Sequence, residues 1–452
     1  MTLVEVQDMR RFIRIFLVIF LLGFSFDAKA ISLITDEETE VFIYDILTPI
    51  FRAAGLPLNR NYIHIVKDDS LNAFVGDQNH MFIHTGTLLK ASNANEIEGV
   101  LAHETGHILG GHILRLKIKI QDMQKATLAS LVAAAGTAVA SGRGDAAIAV
   151  VLGTQSSALN AVTVYQMSEE RAADETATIL LGQNHKTVRG LKDFMVKIQN
   201  ANRLQGIEES PYFRTHPITM ERIAFFTEKL KTEHDIISEK SLDDRLKRVQ
   251  AKIFAYLAPL PNVIKRYPLD DNSMFGKLAH AVYFMRQKDI QRALKYADEL
   301  ISAEPNNPYF WEIKAQALFE NGKINEAVSA YKHALNLRPN ADLFKLNYAE
   351  AILATEPSPA IAEPLIPLLE HVAQSKMHPQ AYLYLGKVYD ILRQSGAADY
   401  FAAEYNYAIG QTALAKKQLS KALKQYLRPD IKLRATDLEE KMKNDTRKKS
   451  LF

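Results

Sequence analysis

A period of 34 residues runs through the second half of the chain and constrains its fold more than any other feature. Two units carry two alanines and a proline at matching positions, namely Ala281, Ala293 and Pro305, then Ala315, Ala327 and Pro339. Ala349 continues the period once more, before proline-rich sequence from Pro357 to Pro367 interrupts it. A single repeat of this length cannot bury its own apolar face, so neighbouring units must stack on one another.

Small residues where paired helices meet, with a proline between units, are the signature of the tetratricopeptide repeat. The large positions of the second unit are filled by Trp311, Leu318 and Tyr331. We expect a later unit around Leu385–Ala398 and a further helix pair over Ala403–Leu423. The sequence therefore predicts an α-solenoid over residues 273–452. The concave face of such an array binds peptides or other proteins.

Residues 103–107 read His-Glu-Thr-Gly-His and give the strongest indication of chemistry. On a helix, His103 and His107 project from one face, one turn apart, so both imidazoles can reach a single metal ion. Glu104 between them has the carboxylate that takes a proton from a water activated by zinc. Asn93 followed by Glu96 predicts a capped helix start, and apolar residues then recur at helical spacing.

Zinc in a hydrolase usually takes three protein ligands, so a third ligand must come from further along the chain. A metzincin would have a histidine three residues after Gly110, but that position is Ile113. Glu170 and Asp174 lie four apart in a segment that reads as a helix, so they share a face. A metal at Glu170 and a histidine N–H at Asp174 would satisfy both carboxylates. The alternative is a solvated acidic face, partly neutralised by Arg171.

His216 precedes Pro217, and a residue before proline avoids the helical region, so we expect an extended or turn segment there. Its imidazole could close over the metal as a fourth ligand, or donate to the oxyanion of a tetrahedral intermediate. An ordinary histidine in a surface loop is the alternative. If His216 takes the fourth zinc position, no water can bind there and the resting site is silent.

These segments, in this order, resemble the motif set of a zinc peptidase family that includes HtpX-like membrane proteases and CAAX-prenyl-protease-type enzymes. The matching residues are His103-Glu104-Thr105-Gly106-His107, Glu170-Arg171-Ala172-Ala173-Asp174, and Thr215-His216-Pro217 with Arg222. The region of Asn72–Val75 and Met81–Gly86 is similar to the family's edge-strand region. With its C-terminal repeats, the chain most closely resembles the BepA-like group of periplasmic proteases, also called beta-barrel assembly-enhancing proteases.

The resemblance implies a role for each matching residue. His103, His107 and Glu170 would be the zinc ligands, and Glu104 would be the general base. Asp174 would orient a ligand histidine. The implied fold is mainly α, with a gluzincin-type α+β metalloprotease domain that contains a small edge-stranded sheet, followed by the α-solenoid.

The resemblance also implies how substrate binds. His216 would face the open zinc position, as a metal ligand or a catalytic donor. Substrate would add as a strand, through backbone hydrogen bonds that are largely indifferent to side-chain identity, to Asn72, Ala73, Phe74 and Val75.

Two functions are consistent with these residues. The first, with the biological role that the resemblance implies, is a zinc-dependent endopeptidase that acts in quality control or assembly of outer-membrane proteins. Its substrates would be misfolded or stalled outer-membrane proteins, and its repeats would dock the outer-membrane assembly machinery. The second is a chaperone or assembly factor whose repeats bind partners while His216 holds the zinc site closed. A net charge of +3, with lysines and arginines interspersed among acids, argues against nucleic-acid binding.

The start of the chain has the layout of a secretory signal peptide. Basic residues from Arg10 to Arg14 precede an apolar run from Ile15 to Phe26 and the small-x-small site Ala28-Lys29-Ala30. The chain contains no cysteine, which excludes lipid attachment at that site and fits an exported protein. We therefore expect a periplasmic protein. Its expected divisions are a signal peptide (1–30), a zinc metalloprotease domain (31–235), a linker (236–272) and the tetratricopeptide-repeat domain (273–452).

Two apolar, alanine-rich segments, Ala126–Ala140 and Ala146–Val164, follow the histidine motif and are separated by the polar break Ser141–Asp145. The first is shorter than a membrane span, and polar residues interrupt the second. We expect an amphipathic hairpin or flap near the active site. Peripheral contact with a membrane is the alternative.

Overall fold

The structure is a computed structural model that describes residues 32–141, 144–205, 212, 215–233, 239–375 and 378–449. Within these ranges only the backbone is described for residues 78, 131–163, 202, 204–205 and 446–449. The expected signal peptide, residues 1–30, lies outside the described residues. The main unit of the chain is Ile34–Phe452.

One face of a small mixed sheet packs against the hydrophobic core. Its strands are β1 (Leu33–Ile34), β2 (Ile63–Val66), β3 (Ala73–Val75) and β4 (Met81–His84), in the order β1-β2-β4-β3. Strand β2 runs parallel to β4, and β3 runs antiparallel to β4 with Ala73 opposite Ile83. Ile63 and Ile65 of β2, and Met81 and Ile83 of β4, point into the core, as the two-residue period of a strand requires. Strand β3 ends the sheet order, so the Ala73–Val75 part of the expected edge-strand region lies at a sheet edge, whereas Met81–His84 forms the inner strand β4.

Helices pack against the sheet and against each other around one hydrophobic core. They are α1 (Glu37–Ala53), α2 (Thr85–Lys90), α3 (Ala94–Gly110), α4 (His112–Ser141), α5 (Gly144–Gln183), α6 (Arg189–Gln205) and α7 (Met220–Leu230). The core takes residues from α1, α3, α5, α6 and α7. Helix α3 packs against both α5 and α6, which places the histidine motif in the middle of the molecule's first half.

Helix α3 begins where the sequence predicts. The side chain of Asn93 accepts a hydrogen bond from the backbone N–H of Glu96, and the Glu96 carboxylate accepts one from the N–H of Ser92. A cap of this kind contributes about 1 kcal/mol to helix stability. The helix ends before Gly111, whose φ of 63° lies in the left-handed region that favours glycine. The chain turns there and continues directly into α4.

The two alanine-rich segments lie in two helices, α4 up to Ser141 and α5 from Gly144, and residues 142–143 of the polar break lie outside the described residues. The two helices pack along each other. The side chains of residues 131–163, which hold most of the expected membrane-contact region, are outside the description. Across the described ranges, we find no helix that combines the length and the hydropathy needed to cross a bilayer.

Much of the expected linker is helical. It contains α8 (Lys240–Leu257) and α9 (Leu260–Arg266). Leu246, Val249 and Ile253 of α8 are buried in the same core as the sheet. The other side of α8 packs against the first helix of the repeat region. The division into domains stays a prediction, with α8 in contact with both parts.

The repeat region is a succession of antiparallel helix pairs, as the sequence predicts. Its helices are α10 (Met274–Arg286), α11 (Ile290–Ala303), α12 (Pro308–Glu320), α13 (Ile324–Leu337), α14 (Asp342–Leu353), α15 (Pro359–Ala362), α16 (Leu365–Gln374), α17 (Gln380–Ile391), α18 (Ser395–Ala408), α19 (Thr412–Ala422) and α20 (Pro429–Lys449). Alanines of the 34-residue period are at most 1% exposed, namely Ala281, Ala293, Ala315, Ala327 and Ala349. Their small size lets paired helices approach closely. The mainly α fold with a helical repeat region is thus confirmed.

Candidate metal centre

Four side chains from three parts of the chain meet at one buried point. His103 and His107 come from α3, Glu170 comes from α5, and His216 lies at a bend between Thr215 and α7. One potential ligand atom from each lies within 4.8 Å of those from the other three. All four side chains are buried. The structure therefore brings together the residues that the sequence suggested as metal ligands.

Gly106, inside the histidine motif, allows α3 and α5 to approach. A Cβ atom at this position would lie 2.8 Å from the carbonyl oxygen of Ala173, which is closer than real Cβ contacts come. Because α5 also carries Glu170, this close crossing brings the carboxylate to the two histidines. The glycine in the motif is therefore explained by helix packing.

The separations of the ligand atoms fit a zinc ion. Nε2 of His103 lies 3.1 Å from Nε2 of His107. Oε2 of Glu170 lies 3.3 Å from Nε2 of His103, and Oε1 of Glu170 lies 3.2 Å from Nε2 of His107. Ligands about 2.0–2.1 Å from a tetrahedral zinc stand about 3.3 Å apart, and two imidazoles with one carboxylate are a common zinc ligand set. The residues present thus fit the metal that the motif implies.

A second layer of charged groups holds two of these ligands. Nδ1 of His103 lies 2.9 Å from Oδ1 of Asp174. Arg222 donates to both Asp174 oxygens, at 2.7 and 2.9 Å, and its Nη1 lies 2.7 Å from Oε2 of Glu170. A carboxylate can only accept, so Nδ1 of His103 carries the proton that faces Asp174, and Nε2 is the nitrogen that would bind a metal. The alternative interpretation of Glu170 and Asp174 as a solvated acidic face neutralised by Arg171 is wrong. Both carboxylates are buried, and Arg171 pairs with Glu221 instead.

Glu104 carries a buried carboxylate that makes no hydrogen bond with the described residues. Both of its carboxylate oxygens are inaccessible and have no hydrogen-bond partner among the described residues. The nearest ring nitrogen, Nε2 of His216, is 3.5 Å from Oε1. Burial raises the pKa of Glu104. A carboxylate held in this way is a ready proton acceptor for a water molecule beside it.

Burial and neighbouring charge set the protonation of the ligands. Burial lowers the pKa of His107 to about 3, so its imidazole is neutral. Burial also acts to lower the pKa of His103, but hydrogen bonds with Asp174 and Glu170 raise it to about 9. For Glu170 burial acts to raise the pKa, and the charges of His216 and Arg222 outweigh it and hold the pKa well below the usual range. Glu170 is therefore an anion ready for a cation.

Comparison with known proteins identifies the family. Peptidase family M48 matches residues 38–230, a range that holds every residue of the centre. A "Protease HtpX homolog" from Campylobacter curvus (strain 525.92) is 31% identical over 209 residues, which are 40% of this chain and 72% of the relative. The chain belongs to peptidase family M48. In the M48 region the histidine motif lies on α3 and the acidic motif on α5.

A second relative of this M48 chain is matched over a longer stretch. The "Beta-barrel assembly-enhancing protease" of Escherichia coli (strain K12) is 22% identical over 300 residues, 65% of this chain. The match spans 60% of the length of that relative. It confirms the resemblance to the BepA-like group. Among solved structures, "TPR2AB-domain:pHSP90-complex of yeast Sti1" is 17% identical, is matched over 63% of this chain and 99% of that one, and has a TM-score of 0.20.

The edge strand of the M48 region lies beside the helix that carries the histidine motif. The backbone N–H and C=O of Asn72 are already bonded to the hydroxyl of Thr87. Among the described residues, Ala73, Phe74 and Val75 pair with β4 on one side only. The free edge next to α3 is therefore that of Ala73–Val75.

Sequence reasoning missed several groups of this M48 centre. Tyr212 is fully buried, stacks on the ring of His216 at 4.5 Å between centroids, and accepts the N–H of His216 through its carbonyl. Arg222 was part of the family resemblance but had no assigned role. His112 contacts His107, with their Nδ1 atoms 2.7 Å apart. Only their spacing in the sequence could have indicated these residues, since Tyr212 precedes His216 by four residues and His112 follows His107 by five.

Proposed function

We propose that this chain is a zinc-dependent endopeptidase of the periplasm that acts in quality control or assembly of outer-membrane proteins. The observation that carries the proposal is the convergence of His103, His107 and Glu170 beside the unpartnered carboxylate of Glu104. Membership of family M48 supports the peptidase activity. The names of the BepA-like relatives support the biological role. The periplasmic location rests on the expected signal peptide.

A zinc ion held by His103, His107 and Glu170 would polarise a peptide carbonyl and lower the pKa of water. Glu104 follows His103 directly on α3, and its free carboxylate would accept the proton of the attacking water. It would then pass that proton to the leaving amine. Asp174 would keep His103 in the tautomer that binds through Nε2.

The free edge of β3 would hold the substrate. A peptide added to Ala73–Val75 would run beside α3, because β3 packs against that helix. Recognition through backbone groups is largely indifferent to side-chain identity, which suits clients whose common property is an unfolded segment. The repeats would dock such clients, or the assembly machinery of the outer membrane, on their concave face.

Replacement of the general base tests the proposal. Glu104→Gln should retain zinc, since Glu104 is not among the converging ligands, and should lower the rate of β-casein cleavage at least about 100-fold. Glu175→Gln is the matched control, because Glu175 is an exposed acid on α5. Cleavage by Glu104→Gln at the control rate would contradict the proposed mechanism.

The position of His216 favours a second candidate function, a chaperone or assembly factor with a closed zinc site. Its Nδ1 lies 2.9 Å from Oε1 of Glu170, and stacking on Tyr212 fixes the ring within the ligand cluster. A histidine in the fourth zinc position would exclude water. In this state the repeats would bind partners while the peptidase rests.

The variant His216→Ala decides between the two roles of this histidine. Faster β-casein cleavage than wild type would mark His216 as an inhibitory ligand and support the closed resting state. Loss of cleavage with zinc retained would mark His216 as the donor that stabilises the oxyanion. Zinc content measured in the same samples separates either result from simple loss of metal.

A further inference from the structure

We propose that His112 and Glu169 are positioning residues that orient the zinc ligand His107 through a relay of two hydrogen bonds. Nδ1 of His112 lies 2.7 Å from Nδ1 of His107. On its other side, Nε2 of His112 lies 2.5 Å from Oε2 of Glu169. The inference deepens the zinc site of the proposed function and rests on it.

The direction of each hydrogen bond follows from the end of the relay. A carboxylate accepts only, so His112 must donate from Nε2 to Glu169. In neutral His112 the Nδ1 atom is then the acceptor, and His107 must donate its Nδ1 proton to it. That leaves the lone pair of His107 on Nε2, the atom that lies 3.1 Å from Nε2 of His103. The relay thus selects the tautomer of His107 that can bind a metal.

The two ligand histidines are held in the same way by one helix. Asp174 of α5 reaches Nδ1 of His103 directly, at 2.9 Å. Glu169 of α5 reaches Nδ1 of His107 through the intervening ring of His112. In both cases a carboxylate fixes the far nitrogen, which is the usual outer arrangement around a histidine ligand.

The local backbone is built around the His112 ring. Gly111 has a φ of 63°, and this left-handed turn starts α4 with His112 beside the end of α3. A Cβ atom on Gly110 would lie 2.0 Å from Nε2 of His112. Glycine is therefore required at position 110 for the ring to occupy this place.

Burial and the guanidinium of Arg115 distinguish the relay from an ordinary surface ion pair. The side chains of His112 and Glu169 are 6% and 13% exposed. Arg115 also donates to Oε2 of Glu169 at 2.6 Å, and its Nε donates to the hydroxyl of Tyr165. The exposed Arg115 thus holds the carboxylate of Glu169 in place while that carboxylate accepts a hydrogen bond from the buried His112.

The test measures zinc affinity of the full chain by competition with a chromogenic chelator. His112→Leu removes the acceptor for His107 and should weaken zinc binding about 10- to 100-fold. His112→Asn keeps an oxygen close to the position of Nδ1 and should recover most of the affinity. His280→Asn is the matched control, since His280 is fully buried in the repeat region and far from the centre in sequence.

Two further variants keep the inference testable if His112→Leu fails to fold. Glu169→Gln should weaken zinc binding, whereas Glu175→Gln on the same helix should not. Gly110→Ala should also weaken it, although alanine favours a helix more than glycine does. Cobalt-substituted protein gives a second readout, because a misplaced His107 changes the visible absorption bands of a tetrahedral cobalt site.

Zinc affinity of His112→Leu and Gly110→Ala within twofold of wild type, with unchanged cobalt spectra, would overturn the relay. A lowered melting temperature with unchanged zinc affinity would also overturn it, since that result marks a structural role only. If wild type itself binds no zinc, the proposed function fails, and this outcome is distinct from failure of the relay.

Discussion

Arg222 holds Asp174 through two hydrogen bonds, from Nε to Oδ2 at 2.7 Å and from Nη2 to Oδ1 at 2.9 Å. Its remaining nitrogen, Nη1, lies 2.7 Å from Glu170. Asp174 and Glu170 are one turn apart on α5 and are at most 2% exposed. One guanidinium therefore allows two neighbouring carboxylates to be buried, one for the metal and one for His103.

Arg222→Met should destabilise the protein by about 3–5 kcal/mol, because it leaves buried carboxylates without their cation. The loss in the free energy of unfolding, measured by urea unfolding, should be larger in the presence of a chelator than in excess zinc. Bound zinc would neutralise part of the negative charge that Arg222 leaves behind. Arg171→Met is the control, because Arg171 makes an exposed pair with Glu221 and should change stability by less than about 1 kcal/mol. A loss for Arg222→Met as small as that of the control would contradict this account of the centre.

A second buried charge cluster joins the first helix to the repeats. Nζ of Lys252 lies 2.5 Å from Oδ2 of Asp36 and 3.0 Å from Oε2 of Glu312. Burial acts to lower the pKa of Lys252, and the charges of Asp36 and Glu312 raise it well above its usual value. Asp36 caps α1, Lys252 lies on α8 and Glu312 lies on α12, so one ammonium connects the two parts of the chain.

Lys252→Met should therefore cost about 3–5 kcal/mol and expose the α8 region to limited proteolysis. Adding Asp36→Asn and Glu312→Gln to this variant should restore part of the stability, because the orphaned charges are removed. Lys247→Met on the exposed side of α8 is the control. Equal protease resistance of Lys252→Met and the control would show that the cluster does not connect the two parts.

Glu40 makes stability depend on pH. Burial raises its pKa to about 7, against the opposing charge of Arg60 and with help from the negative charge of Glu37. The native state thus binds more protons than the unfolded state between about pH 4.5 and 7. The contribution of Glu40 is fully present below the lower value and is lost as pH rises through 7, at no more than about 1.4 kcal/mol per pH unit.

Glu40→Gln should remove this dependence. The stability of the variant relative to wild type, from urea unfolding at a series of pH values from 5 to 8, should rise with pH. Asp45→Asn, at an exposed position of the same helix, is the control. A difference between Glu40→Gln and wild type that stays constant over this range would contradict the assignment.

The parts of the site that lie close together in sequence could be predicted. Two histidines four apart, a cap at Asn93 and two acids four apart define faces of α3 and α5, because the helical period fixes which side chains are neighbours. The repeat period likewise predicted which alanines are buried. These predictions depend on local geometry alone.

The contacts between distant segments could not be predicted. Arg222 lies 48 positions from Asp174 in the sequence, and only the packing of α7 against the rest of the core brings them together. The contact of His112 with His107 needs the left-handed turn at Gly111. For α8, an amphipathic pattern shows that one face is buried but does not show that both parts of the chain cover it.

The most direct test of the account is an anomalous difference map from crystals grown with zinc, with data collected above the zinc absorption edge. We expect one strong peak between Nε2 of His103, Nε2 of His107 and the carboxylate of Glu170. A map without a peak at that point would contradict the zinc site and the function built on it.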